Sequence, residues 1–358
     1  MKLARVLVSN RALPSSKIGS WTTRMEKFID NNPDFFLHIL SPTDALKSSL
    51  YCKKGNFITW KKSLRNIQLL RWVSKDYIKA LKRLSKTLDK LVIVVMDDQY
   101  LLQSITLIKS KLKCEVELVF SFHGFNLNLD DKVLKSVDKI LWLSQLAHKK
   151  NRLNYESFPN SIVVGNAVDS QLFYPLSFQD YKSARKIKGY KEDEEILIWM
   201  ANDRPKKGFH IFKEITNQLL KRNKEIKIIL IGTSQVINHP NVFNVGRIPN
   251  NEVAKYLQIG SYYMFTTLYE EGFGLSLIEA YKSGNAVITT SKGAIPEVLA
   301  GLDYSYQVED EYNFDLWLNK LEQARKETSF GKLKITEENA SSVWSYDEWE
   351  GKFYNAIA

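Results

Sequence analysis

The sequence predicts an α/β protein made of two doubly wound domains, and three observations carry that prediction. Short runs rich in β-branched and aromatic residues alternate with longer amphipathic stretches along the whole chain. Several of those runs are continuously apolar, the pattern of parallel strands covered on both faces, where a one-sided sheet would alternate. A chain of 358 residues is also too long for one ordinary domain and comfortable for two of ~100–200 residues each.

Taken in order, the strand runs of the first half are Ala4–Ser9, Phe35–Leu40, Leu91–Met96, Glu115–Phe120, Lys139–Leu143 and Ser161–Val164. Between the second and third, Leu70, Val73, Tyr77, Leu81, Leu84 and Leu88 recur at spacings of three and four, which marks one apolar helix face. The first βα series closes near Asn166, and a polar linker from Ser177 to Glu194 leads to the second. Its strand runs are Ile196–Met200, Lys227–Ile231, Val242–Val245, Tyr262–Phe265 and Ala286–Thr289. The expected boundaries are 1–165 for the first domain, 166–340 for the second and 341–358 for a terminal helix. Ligands of such sheets bind at the carboxyl ends of the strands, so a cleft between two facing domains is expected.

Composition removes several classes. Hydrophobic residues at 44% and charged residues at 25% are the balance of a water-soluble globular chain. No run approaches the ~18 apolar residues of a membrane span, and Val6-Leu7-Val8 is too short for a leader peptide. Cys52 and Cys114 fit neither a disulfide framework nor a metal-ligand spacing. These features predict a cytoplasmic protein. The net charge of +11 is local: between Tyr51 and Lys90 twelve Lys and Arg face only Asp76 and Asp89, so ten of the eleven charges lie there. Such a patch, with no nucleic-acid motif beside it, argues against DNA or RNA as partner. Lys75, Lys79, Lys82, Lys86 and Lys90 share one helical face, with Phe57, Trp60 and Trp72 nearby. Two compatible readings stay open: a solvated side of a core helix, or a surface for anionic lipid head groups or a phosphate-bearing acceptor.

Chemistry concentrates between Thr266 and Val298. Gly272-Phe273-Gly274 follows a strand run and opens a helix that begins at Leu275. A glycine turn at a helix start leaves backbone N–H groups to meet an anion, and the helix dipole favours negative charge there. Glu271 precedes the turn and Glu279 lies eight residues on, so both carboxylates can border one ligand along the helix start. Asp97-Asp98 is adjacent rather than spaced as Asp-x-Asp, so no divalent cation is expected.

The Glu271 to Glu279 series resembles the E-x7-E motif of the retaining GT-B glycosyltransferases of family 4, the glycosyl transferases group 1. The resemblance implies that Glu271 contacts the donor sugar and Glu279 the ribose, while Gly272, Phe273, Gly274 and Leu275 face the sugar and phosphates. It extends along most of the chain. Val164-Gly165-Asn166-Ala167-Val168-Asp169 resembles the domain junction, with Gly165 where proline is usual, and Gly246-Arg247-Ile248-Pro249 resembles a turn that sets Ile248 against the base. Gly19 resembles the glycine loop that approaches the donor phosphates or the acceptor, and His123 in Phe122-His123-Gly124 resembles a histidine near the reacting carbon. Val343-Trp344-Ser345-Tyr346 resembles the segment that crosses back to the first domain.

The leaving diphosphate needs a cation. Lys207-Gly208 matches the family's Lys-Gly, but Asn202 holds the usual arginine position and Arg204 is displaced by two residues. The implied function is retaining transfer of a sugar from a nucleotide-sugar donor to a glycan or lipid-linked acceptor, as in cell-surface polysaccharide assembly. Glu271, His123 and Lys207 would do the catalytic work with no cofactor beyond the co-substrate. Another nucleotide-sugar reaction on the same fold, epimerisation for one, and a non-catalytic nucleotide-sugar or nucleic-acid binder are the alternatives.

Overall fold

The computed structural model describes residues 2–13, 20–46, 48–53, 67–328 and 336–358. It divides into two compact units, one of Met1–Gly165 with Glu350–Ala358 and one of Asn166–Trp349. The terminal segment therefore divides between Trp349 and Glu350, inside a helix, and not at 340/341 as the sequence suggested.

The first unit runs β1 (Leu3–Val8), α1 (Ser20–Asn31), β2 (His38–Ser41), β3 (Ser49–Tyr51), α2 (Ile67–Val73), α3 (Lys75–Leu84), β4 (Lys90–Met96) and α4 (Gln99–Thr106). It continues with β5 (Glu115–Ser121), α5 (Asp131–Leu134), β6 (Lys139–Trp142), α6 (Gln145–Arg152) and β7 (Asn160–Val163). Its seven strands lie in the order β3-β2-β1-β4-β5-β6-β7, every pair parallel. The central strands are the most apolar runs: all of Leu91–Met96 is buried, as parallel strands with helices on both faces must be.

Three expectations needed correction here. The strand expected at Phe35–Leu40 begins at His38, because Phe35 and Phe36 are used in a ring cluster with Phe28 on α1, at 5.3 and 5.9 Å between centroids. The edge strand β3 carries no apolar run and was not foreseen. The single amphipathic helix through Leu70–Leu88 is two helices, α2 and α3, broken at Ser74, whose buried hydroxyl pairs with that of Ser104 at 2.9 Å. A hydroxyl competing for local hydrogen bonds is a common breaker of helical continuity.

The second unit runs α7 (Phe178–Ile187), β8 (Ile196–Met200), α8 (Phe209–Arg222), β9 (Lys227–Ile231), β10 (Val242–Gly246), α9 (Asn250–Leu257) and β11 (Tyr262–Phe265). Then come α10 (Leu275–Lys282), β12 (Ala286–Thr290), α11 (Ile295–Val298), β13 (Ser305–Val308), α12 (Phe314–Glu327) and α13 (Glu337–Ser342). The strand order is β10-β9-β8-β11-β12-β13, again all parallel. Edge strand β13 (SYQV) was also unforeseen, since its alternation is too short to stand out. The last helix, α14 (Tyr346–Ile357), sends its end to the first unit. There Arg5 donates to the carbonyls of Ile357 and Ala358, and Phe353 meets Phe28 at 5.0 Å.

Strand order reverses direction between β1 and β4 in one sheet and between β8 and β11 in the other. Those are the topological switch points at which doubly wound sheets open a crevice at their carboxyl ends.

Candidate functional site

At the switch point of the second sheet, the loop after β8 meets the loop after β11. The β8 loop closes as a single 3₁₀ turn, Pro205–Lys207, and Gly208 leaves it in the left-handed region at φ 73°. A Cβ on Gly208 would lie 1.8 Å from the Thr266 carbonyl oxygen, so only glycine lets the two loops touch. The contact is then fastened. Thr266 Oγ1 donates to the Gly208 carbonyl at 2.9 Å, Leu268 N–H to the Lys206 carbonyl at 2.8 Å, and Trp199 Nε1 to Thr266 Oγ1 at 2.9 Å.

That fastening sets the central pair. Lys207 Nζ lies 2.7 Å from Glu271 Oε1, both side chains half-buried, and Thr267 Oγ1 donates to the same oxygen at 2.8 Å. Glu271 is fixed from behind as well: its carbonyl accepts the Ala294 N–H, and a Cβ on Gly293 would come within 2.4 Å of it. The Lys206 ammonium sits 3.4 Å from the centre of the Tyr269 ring, and burial, then the charges of Lys207 and Arg204, lower its pKa. Three cationic side chains thus crowd one short turn.

Gly272 to Gly274 follow, with Gly274 left-handed at φ 86° as the residue before α10. Phe273 is buried edge-on against Trp344 at 4.8 Å, which anchors the turn. Leu275 opens the helix, and Ser276 Oγ lies 3.0 Å from the Tyr263 hydroxyl, itself 3.2 Å from the Met200 carbonyl. Glu279 follows one turn on. Among the described residues nothing hydrogen-bonds its carboxylate. Part of the residue stays open, yet the protein atoms crowded round the carboxyl push its pKa up to about 7. A carboxylate poised this way gains most from hydroxyl donors brought by a ligand.

Of the other expected donor residues, Arg204 is exposed at the head of the 3₁₀ turn, with its N–H held by the Asn202 side chain at 3.1 Å. Ile248 is half-buried in the turn between β10 and α9. Sequence reasoning overlooked the clamp that holds this turn. Asp203 accepts from Thr233 Oγ1 at 2.6 Å, Ser234 N–H at 2.8 Å and Arg247 at 3.0 Å. Those bonds, Thr233 first, pull the Asp203 carboxyl down to about 2. Thr267 was overlooked too. Its only signal was its place between a strand end and the first acid.

His123 belongs to the first unit, directly after β5, and Gly19 falls outside the described residues. The His123 Nε2 lies 3.0 Å from Ser121 Oγ, and its backbone N–H donates to Asp97 at 3.0 Å. Burial, then Arg24 and Arg11, hold its pKa well below the usual histidine range, so the ring is neutral at neutral pH.

Among the described residues, no three His, Cys, Asp or Glu side chains converge as a metal centre requires, and no helix is long and apolar enough to cross a membrane.

Comparison with known proteins adds a family match and a fold. Residues 180–341 match the family model described as glycosyl transferases group 1. Among curated relatives, the Saccharomyces cerevisiae phosphatidylinositol N-acetylglucosaminyltransferase GPI3 subunit is 25% identical over 178 residues, 46% of this chain and 38% of that one. A Corynebacterium glutamicum GDP-mannose-dependent monoacylated alpha-(1-6)-phosphatidylinositol monomannoside mannosyltransferase is 20% identical over 183 residues, 47% of this chain and 48% of that one. The matched region is thus less than half the length of either relative. Sucrose-phosphate synthase from Thermosynechococcus elongatus superposes with a TM-score of 0.76 at 13% identity, over 98% of both chains. HepE from Anabaena, solved with UDP-glucose, gives 0.73 at 12% over 99% of both. These two likenesses show the fold, a GT-B pair of Rossmann-like units.

Proposed function

We propose, from the premise that residues 180–341 form a glycosyl transferases group 1 domain, that the protein transfers a sugar from a nucleotide-sugar donor with retention of anomeric configuration. The observation that carries the proposal is the Lys207–Glu271 pair at 2.7 Å beside a glycine turn that opens α10. Lys207 supplies positive charge for the departing diphosphate, and the α10 start adds backbone donors. Glu271 receives the donor sugar's hydroxyls, and Glu279, whose carboxylate has no hydrogen-bond partner among the described residues, receives those of the ribose. With Lys206 and Arg204 in the same turn, the protein's own cations can balance the diphosphate, and activity is expected without a divalent ion.

Three observations support an acceptor at a membrane surface. The described part of the basic stretch forms a groove of about 660 Å³ on α3, in which seven of nine lining side chains are Lys or Arg. Trp72, just before it, is 70% exposed. The names of both relatives contain phosphatidylinositol, which fits a lipid-linked acceptor and a place in cell-surface glycan assembly.

A panel of nucleotide sugars tests the core of the reading. A donor held at ~100 times its dissociation constant adds about 2.7 kcal/mol of stability, so one or more should raise the melting temperature. The same donor should then be turned over in the presence of a chelator, with the product's anomeric configuration read by NMR. Failure of every nucleotide sugar to shift the melting curve would overturn the proposal.

A further inference from the structure

At the switch point of the first sheet a second polar cluster gathers round His123 from Arg11, Trp21 and Arg24, none of which is among the residues expected to hold the donor. Trp21 and Arg24 lie one helical turn apart on α1 and are both 6% exposed. Trp21 meets the His123 ring edge-on at 5.7 Å, and the Arg11 guanidinium sits 5.8 Å from the Trp21 ring centre. Arg11 itself is exposed, and the loop that carries it is pinned by Ser9, whose hydroxyl donates to the Arg11 carbonyl at 2.7 Å. Asp97 closes the pocket edge from the end of β4 with a left-handed φ of 46°, an unusual conformation for a non-glycine residue and one that collects at functional sites.

Two buried nitrogens here have no hydrogen-bond partner: Trp21 Nε1 and His123 Nδ1. Buried polar groups are almost always paired in folded proteins, and an unpaired indole N–H can be satisfied only by an acceptor atom. Two arginines within electrostatic reach of a neutral histidine give the pocket a positive field that Asp97 offsets only in part.

We infer that Arg11, Trp21 and Arg24 form a subsite for a phosphoryl group on the acceptor, with Arg11 and Arg24 binding the phosphoryl oxygens and Trp21 Nε1 donating to the polyol or sugar that bears them. The assignment of the ligand as an acceptor rests on the transferase reading above; its anionic character does not. Arg11 and Trp21 set specificity and take no part in holding the donor.

The experiment is calorimetric titration of the full chain with inorganic phosphate, sn-glycerol 3-phosphate, glycerol and a water-soluble short-chain phosphatidylinositol. Glycerol 3-phosphate should bind and glycerol should not. Tighter binding of the phosphatidylinositol assigns a lipid head group as the source, and tighter binding of glycerol 3-phosphate a soluble phosphate ester. Arg11→Gln should weaken the phosphate-bearing probes by roughly tenfold or more, the loss of one charge-assisted hydrogen bond, and Arg11→Lys should restore part of it. Trp21→Phe should weaken glycerol 3-phosphate more than inorganic phosphate. Lys326→Gln, exposed on α12 of the second unit, should bind all probes as the unmodified chain does. A melting temperature shift with nucleotide sugars, unchanged in Arg11→Gln, keeps the donor site separate. Loss of that shift in every form would sink the transferase reading and leave the anion subsite standing. Equal binding by Arg11→Gln and the unmodified chain, or no binding of any phosphate-bearing probe, would overturn the subsite.

Discussion

Lys207 and Glu271 occupy a half-buried position in which neither charge can be removed without exposing the other. Breaking one member of a buried pair is costly because the survivor stays desolvated. Lys207→Met should therefore lose about 1–3 kcal/mol in urea unfolding, and adding Glu271→Gln should return part of that loss. Turnover should not return with stability, since the ammonium is the group proposed to meet the diphosphate; a fall of roughly 100-fold or more is expected in both variants. Full activity in Lys207→Met would assign the cation role to Lys206 or Arg204. Glu279 makes a different prediction. Its folded pKa of about 7 lies above the ordinary 4.5, so the folded state holds the proton more tightly, and stability falls as pH rises across that interval. Glu279→Gln should thus stabilise the empty protein by roughly 1–2 kcal/mol near pH 8, with the gain shrinking toward pH 5. Ribose hydroxyls that donate to the ionised carboxylate lower its pKa on binding. Donor affinity should then rise with pH through about 7 in the unmodified chain and stay flat in Glu279→Gln. Calorimetry at two pH values either side of that point checks it; a flat profile in both proteins would remove Glu279 from the ribose.

At the scale of elements, the site is two loops welded at Gly208. Gly208→Ala would drive a methyl into the Thr266 carbonyl as well as strain a backbone at φ 73°. Gly189→Ala supplies the comparison, since Gly189 is left-handed at φ 81° with nothing within 4 Å of a new Cβ. Strain alone should cost about 1 kcal/mol at Gly189, and strain with collision roughly 2–4 kcal/mol at Gly208, with donor affinity falling only in the latter. Near-equal losses would mean that the loops can part freely. Part of that weld was legible in the sequence. Lys207-Gly208 stood out by its resemblance to the family's Lys-Gly, and Glu271 through Glu279 by a glycine turn at a helix start with an acid on either side, which resembles the E-x7-E motif. The strands were readable where burial on both faces made them continuously apolar, as in Leu91–Met96. Edge strands β3 and β13, half-exposed and short, left no such trace. Partners distant in sequence left none either. Asp203 reaches Thr233 thirty residues on and Arg247 forty-four residues on. Nor does composition separate a ligand-binding cation from a structural one. Arg185 is fully buried, donating to the carbonyls of Ile259, Glu192 and Glu194, and Lys282 to that of Val343.

At the scale of the whole molecule, charge is segregated: ten of the eleven net positive charges fall between Tyr51 and Lys90. Phe57, Trp60 and the basic residues Lys54, Lys61, Lys62 and Arg65 lie outside the described residues. Helices α2 and α3 bury Leu70, Val73, Tyr77 and Leu81, so the apolar face points inward and the lysines have the outer side. The sequence left open whether that side is plain solvated surface or a docking face. A groove that gathers Arg71, Lys75, Lys79, Lys82, Arg83, Lys86 and Lys111 favours docking, because seven like charges brought together repel one another unless anions come to them. Each basic residue close to an anionic bilayer contributes about 1 kcal/mol, and salt screens the attraction over roughly 10 Å at 0.1 M. Four such residues acting together suffice for reversible attachment. The protein should therefore sediment with phosphatidylserine-containing vesicles at low salt, leave them at high salt, and ignore phosphatidylcholine vesicles. Replacing Lys75, Lys79, Lys82 and Lys86 with glutamine should abolish sedimentation. Nucleotide-sugar binding should survive the change, because none of the four is among the residues proposed to hold the donor. Trp72, 70% exposed beside the groove, adds a shallow apolar contact, so Trp72→Ala should weaken attachment without changing its salt dependence. Binding that is indifferent to salt or to lipid charge would show that the basic groove serves only as a solvated face.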